Sequence, residues 1–249
     1  QTGGTSSITG KAEQPVIRNL RENMNREEMM EAAECYKPYI MFDEKEPFEI
    51  TAVGITVFEE TARSSSFPKR EIGVDKEKVS FVLEYAIWYD YDIQHLYDLE
   101  HVWVYVGKNG QVLQAEGSFH GKYLELVNLD TGKPEVRDRT HVVVYAQPGK
   151  HACLSDPRLV FVVPDWYEAC NEKAGTDGVL IQDFFADEIT ADDKLQKQTE
   201  KYIREKYGFA PSIRFYGKEL SRDIFMTWEE LRKSIPGRMK KQLDKIRKY

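Results

Sequence analysis

The chain has only three cysteines in 249 residues, Cys35, Cys153 and Cys170, and no two form a Cys-x-x-Cys pair. A zinc ribbon and a thioredoxin-like redox site are therefore excluded. Cys153 and Cys170 could pair in an oxidising compartment, but buried free thiols are the simpler expectation. Long apolar runs are missing too, and none approaches the roughly 20 residues of a membrane span. Positive charge is scarce over most of the chain: 35 Lys and Arg against 42 Asp and Glu give a net charge of -7. That balance argues against a general nucleic-acid binder. The exception is the C-terminus, where Arg232, Lys233, Arg238, Lys240, Lys241, Lys245, Arg247 and Lys248 face only Asp244.

Aromatic residues are plentiful, 14 of them Tyr, which suits a sheet-rich protein whose rings cover strand faces. Residues 1–14 are rich in Gly, Ser and Thr and read as a flexible leader. With Gln rather than Met in first place, an extracytoplasmic or secreted protein is the favoured expectation, and a cytoplasmic one is the alternative. Residues 15–249 read as a single domain, with a sandwich core over about 37–185 and a helical part over 186–249.

Pro15 to Tyr36 reads as a helix, with Asn25 as a cap and Glu27 and Glu28 in its first turn. From Phe48 onward the pattern turns to strands: Glu49–Phe58, Val79–Tyr89, Glu100–Val106, Val112–Ser118, Tyr123–Leu129, His141–Ala146 and Leu159–Val163. Asn109-Gly110 marks a hairpin. The loop from Glu60 to Lys78 is long enough to be mobile or functional. Thr190, with Asp192 and Asp193, opens a helix that runs to Tyr207, and Thr227 with Glu230 forms a capping box for another. Pro236-Gly237 is expected to interrupt that helix. The fold class is mainly β (α+β), an antiparallel β-sandwich with an N-terminal helix and C-terminal helices packed on it.

The segment Tyr89–His101 carries three Asp, one Glu and two His in thirteen residues. Along a strand from Glu100, Val102, Val104 and Val106 share its face, while His101, Trp103 and Tyr105 take the other. Glu100 then heads an apolar face, where an uncompensated carboxylate is costly. Asp98 joins that face if the strand extends back. Asp90 or Asp92, with His95, Asp98 and Glu100, forms an oxygen-rich ligand set that suits Mg²⁺ or Ca²⁺. A solvated acidic turn is the plain alternative.

His95-x-x-Asp98-x-Glu100-His101 resembles the tail of the Gly-His-Arg-His-Asp-Trp-Glu heptapeptide of the necrosis-inducing, Nep-like proteins, and the Asp-Trp-Glu-His of their vacuolar-sorting-associated relatives. Ile87-Trp88-Tyr89, Gly117–Gly121, Val143–Ala146 with His151-Ala152, and Tyr36–Pro38 with Asp43–Pro47 resemble further family segments. The resemblance implies a central β-sandwich with flanking helices and a divalent-cation site. It also implies that His120 and His151 lie near the cation, as outer partners or proton-transfer groups.

The expected function is binding of a polar ligand, a lipid head group or glycan, at a divalent-cation site. A metal-dependent hydrolase using His120 or His151, and a cation that only neutralises the acids, are the alternatives. Lys150 and Arg158 are candidates for an anionic head group. The basic C-terminal helix either packs Met239, Leu243 and Ile246 on the acidic body or makes peripheral contact with an anionic membrane or polymer.

Overall fold

The computed structural model describes residues 24–180 and 189–249. The leader 1–14, the start of the expected first helix and residues 181–188 lie outside them. Helix α1 (Arg26–Tyr36) starts at a capping box. Asn25 accepts from the Glu28 N–H at 3.0 Å, and Glu28 accepts from the Asn25 N–H at 3.0 Å.

The strands are β1 (Tyr39–Asp43), β2 (Ile50–Phe58), β3 (Ala62–Arg63), β4 (Glu71–Ile72), β5 (Val79–Tyr91), β6 (Leu96–Gly107) and β7 (Val112–Phe119), followed by β8 (Lys122–Glu125), β9 (Val136–Arg137), β10 (His141–Ala146), β11 (Cys153–Leu154), β12 (Phe215–Glu219) and β13 (Phe225–Thr227). Helices α2 (Asp193–Tyr207) and α3 (Trp228–Lys248) complete the chain. One sheet has the order β13-β2-β5-β6-β7-β8. The other runs β11-β10-β1-β12, with β9 on β10. The architecture is a mixed α+β sandwich, with the helices packed against two large sheets.

Two pairings are parallel, β1 with β10 and β13 with β2. Parallel neighbours need long connections, and here about a hundred residues separate β1 from β10 and about 170 separate β2 from β13. Between the sheets, Leu83, Tyr85, Ile87 and Tyr89 of β5 and Val102, Val104 and Val106 of β6 form one continuous core with residues of β1 and β10. The sheets approach closely at Gly117, where any Cβ would collide with Cβ of Cys153. All three cysteines are free, and Cys153 and Cys170 are buried.

The Glu60–Lys78 loop is pinned by its own residues to the outer face of β5 and β6. Phe58, Ile72, Val74, Val82, Trp103 and Tyr105 make a second small core there. Ser64 and Ser66 each donate to Glu84 at 2.6 Å, and Trp103 Nε1 donates to it at 2.8 Å. The Arg70 guanidinium lies between the Trp103 and Tyr123 rings, 3.9 and 3.8 Å from their centroids, and pairs with Glu116.

Two expectations are overturned. Leu159–Val163 is not a strand but lies largely within a 3-10 helix, Pro157–Val162. Asp156 caps it by accepting from the Arg158 N–H, and Pro157 presets φ for the first turn. Pro236 does not end α3, which runs through it. Trp228, Leu231 and Ile235 are buried before the proline and Met239, Leu243 and Ile246 after it, so the helix is held to the core on both sides.

Candidate functional site

Strand β6 starts at Leu96, so Asp98 and Glu100 are both strand residues. In the antiparallel register Tyr89 stands opposite Asp98 and Ile87 opposite Glu100, which puts all four on the inner face. The link from β5 to β6 is a short turn in which the Asp92 N–H donates to the His95 carbonyl at 2.9 Å. Asp92, His95, Asp98 and Glu100 are all buried, Asp92 to 2% exposure and Glu100 to 8%.

Alternation settles where Asp90 goes. It lies on the face opposite Tyr89, where its carboxylate accepts from Trp88 Nε1 at 3.1 Å and from Gln242 Nε2 of α3 at 2.7 Å. Asp90 is therefore tied to the C-terminal helix, and Asp92 is the aspartate that meets His95.

The opposite wall comes from the turn 147–151, which follows β10. It is tied down where the Ile93 N–H donates to the Gly149 carbonyl at 2.8 Å and the Gly149 N–H donates to Glu46 at 2.8 Å. Lys150 Nζ reaches both oxygens of Asp92, at 2.9 and 2.8 Å. His151 Nδ1 lies 3.0 Å from Asp98 Oδ2, and its Nε2 lies 3.5 Å from Glu46 Oε1. Among the described residues neither Glu46 Oε1 nor His151 Nε2 has a hydrogen-bond partner, although both are buried. The His151 ring stacks flat on Tyr89, with centroids 3.8 Å apart. Ser118 donates to Glu100.

Tyr97, His120 and His151 all have positive φ, at 51°, 48° and 56°. Such values are uncommon for residues other than Gly, and strained backbone tends to collect at functional sites.

The electrostatics follow from this layout. Burial raises the Glu100 carboxyl well above its ordinary value, and neighbouring Asp98 raises it further. Burial also works to raise Asp92, but His95 and Lys150 outweigh it and hold the carboxyl below its usual range. Burial would lower the His151 imidazole, yet its contacts with Asp98 and Glu46 push it up to about 10. Lys150 is likewise raised, because Asp92 overcomes the cost of burial. Among the described residues, no group of three or more His, Cys, Asp and Glu side chains is arranged to hold a metal ion as it stands. Lys150 and His151 instead draw Asp92 and Asp98 to separate partners.

His95, like His141, has Nδ1 against a backbone carbonyl. Its Nδ1 lies 3.1 Å from the Leu96 carbonyl, an acceptor only, so Nδ1 carries the proton. Nε2 then faces Asp92 Oδ2 at 3.7 Å.

The remaining candidates fall outside this group. His120 Nε2 lies 2.8 Å from Gln147 Oε1. Arg158 is taken up by Asp156 at 2.6 Å and Asp130 at 3.2 Å. His101, on the outer face, lies 3.0 Å from Ser66 Oγ, and burial followed by the nearby Arg70 charge lowers it to about 3.

Glu46 was missed at the level of sequence. Its only signal there was an acid just before Pro47, and its partners lie about a hundred residues downstream. No family model, curated protein or solved structure matches this chain.

Proposed function

We propose that the chain is a divalent-cation-binding β-sandwich protein in which Asp92, His95, Asp98 and Glu100 hold Mg²⁺ or Ca²⁺. The cation's open positions would take oxygen atoms of a polar ligand, a lipid head group or a glycan, as the likeness to the Nep-like and vacuolar-sorting proteins implies. The observation that carries this reading is the His95 geometry, with Nδ1 held by the Leu96 carbonyl and Nε2 turned to a buried Asp92. Crowding of three buried carboxylates supports it, since a cation would lower the cost of keeping Glu100 charged beside Asp98. Oxygen ligands with a single imidazole suit a hard cation better than a thiophilic one.

Binding is favoured over hydrolysis by the state of the two candidate bases. Asp98 and Glu46 push the His151 imidazole up to about 10 in the metal-free protein, which suits it poorly to accept a proton near neutral pH. His120 Nε2 is taken up by the Gln147 side-chain oxygen at 2.8 Å, which leaves only its Nδ1 to accept a proton.

The test is thermal unfolding with and without millimolar Mg²⁺, Ca²⁺, Mn²⁺ or Zn²⁺. Wild type is expected to melt several degrees higher with Mg²⁺ or Ca²⁺, and Asp98→Asn to lose that shift. A wild-type protein indifferent to all four ions would sink the proposal.

A further inference from the structure

Helix α3 has two faces of opposite character. Trp228, Leu231, Ile235, Met239, Leu243 and Ile246 are buried on one, and Gln242 on the same side reaches Asp90. Along the other, Lys233, Lys240, Lys241 and Lys248 are exposed. Lys240 follows Lys233, and Lys248 follows Lys241, after about two helical turns, so the four lysines form a straight stripe roughly 22 Å long. We infer that this stripe is a docking face for a lipid surface rich in anionic head groups, on which α3 lies flat without inserting. The inference is independent of the proposed cation site, and packing and docking use opposite faces of the helix.

Three observations separate the stripe from an ordinary solvated face. The helix dipole accounts for Lys245, Arg247 and Lys248 in the last turn, but not for Lys233, Lys240 and Lys241 further back. Elsewhere on the surface Lys76, Lys78, Arg158, Lys173, Arg214 and Lys218 each pair with a carboxylate. Among the described residues no carboxylate pairs with Lys233, Lys240, Lys241 or Lys248, although the chain carries a net charge of -7. The one acid on the stripe, Asp244, is taken by Arg247 at 3.0 Å. The neighbouring helix extends the surface, since Lys194 of α2 lines a groove together with Gln198 and Arg247.

The chemistry of the free groups selects the partner. Arginine has the planar fork that grips a phosphate at two points, and here it is tied down within the protein. Arg238 donates to Ser234 at 2.9 Å, and Arg247 holds Asp244. What remains is a row of lysine ammoniums, compact charges on flexible stems, suited to head groups that move laterally in a plane. Among the described residues between Lys233 and Lys248, no large apolar or aromatic side chain is exposed. The stripe therefore has neither a wedge to enter the acyl layer nor a ring to stack on a nucleic-acid base. The acidic remainder of the chain is repelled by the same surface, which orients the protein with α3 toward it.

Co-sedimentation with phosphatidylcholine vesicles, with and without phosphatidylserine, tests this in EDTA, so that the cation site plays no part. Binding is expected only where phosphatidylserine is present, and it should fade as KCl is raised. Each lysine near such a surface is worth about fivefold in binding, so Lys240→Gln with Lys241→Gln should bind roughly twenty-five-fold more weakly. Lys76→Gln with Lys133→Gln, the same change of net charge away from the helix, should bind like wild type. All four lysines are exposed, so both double variants should unfold in urea as wild type does. No binding to the anionic vesicles, or equal losses from the two double variants, overturns the inference. So does tighter binding to duplex DNA than to the vesicles at the same KCl concentration, which would make the stripe a nucleic-acid contact instead.

Discussion

His101 and His151 lie on opposite faces of the same sheet, and their surroundings drive them in opposite directions. His151 is raised to about 10 by its carboxylate neighbours, so its contribution to stability is complete below the ordinary histidine value and fades as pH rises through about 10. His101 is lowered to about 3 by burial and Arg70, so the unfolded chain takes up a proton in mild acid that the folded one refuses. Its effect is a loss of stability as pH falls from about 6.5 toward 3. At pH 4.5 that loss is on the order of 2–3 kcal/mol. His101→Gln is therefore expected to lose less stability between pH 7 and pH 4.5 than wild type does in urea unfolding. Parallel pH curves for the two proteins would contradict the assignment. The acids Asp92, Asp98 and Glu100 could be read from the sequence because they are crowded into one short segment with an apolar strand behind them. The pairing of their counter-charges could not, although the family resemblance pointed to His151 and Lys150 stood as a head-group candidate. Lys150 and His151 stand more than fifty residues away, and only the packing of one sheet on the other brings them in.

Local signals were a sound guide to elements wherever side chain and backbone satisfy each other within a few residues. Asn25 with Glu28, Thr227 with Glu230 and the Asn109-Gly110 turn all act where the sequence puts them. Local signals fail where tertiary contacts decide. The 3-10 helix at Pro157–Val162 has the β-branched content of a strand but is redirected by the Asp156 cap. β12 and β13 are short and only partly buried, and their partners β1 and β2 lie some 170 residues earlier, so no periodicity marks them. The Thr227 cap links both kinds of information. Thr227 is the last residue of β13, and its hydroxyl accepts from the Glu230 N–H at 3.1 Å, while Glu230 also pairs with Arg26 of α1 at 3.0 Å. Thr227→Ala should lower stability by about 1 kcal/mol, the usual worth of a helix cap. Glu230→Gln should cost less, because its pair with Arg26 is exposed. Equal losses in urea denaturation would mean that the ion pair, not the cap, anchors the start of α3.

At the scale of the whole molecule, the last forty residues are part of both sheets rather than an attachment to them. β12 forms one edge of the second sheet and β13 one edge of the first. Between these strands and the body, Asp43 is fully buried and accepts from the N–H groups of Ser212 and Ile213 at 2.8 and 2.6 Å. Helix α3 then buries Trp228, Leu231, Ile235, Met239, Leu243 and Ile246. Each such side chain is worth roughly 1.5–3 kcal/mol, so together they rival the net stability of about 5–15 kcal/mol of an ordinary domain. Burying that apolar stripe leaves Lys233, Lys240, Lys241 and Lys248 exposed on the outer side of the helix, consistent with the packing alternative for the basic tail. Deleting residues 211–249 should therefore abolish cooperative unfolding, not merely lower the melting temperature. The deletion strips Asp43 of its Ser212 and Ile213 donors, exposes two strand edges and uncovers the face of β2 around Gly54, onto which Trp228 and Leu231 pack. It also removes Gln242, which holds Asp90 and Tyr91 at the end of β5 just before the Asp92–His95 turn. Calorimetry on the shortened chain gives a direct answer. A sharp transition near the full-length temperature would mean that the β-rich body folds without its C-terminus. A broad or absent one would mean that the helix and both edge strands complete the core on which the acidic site is built.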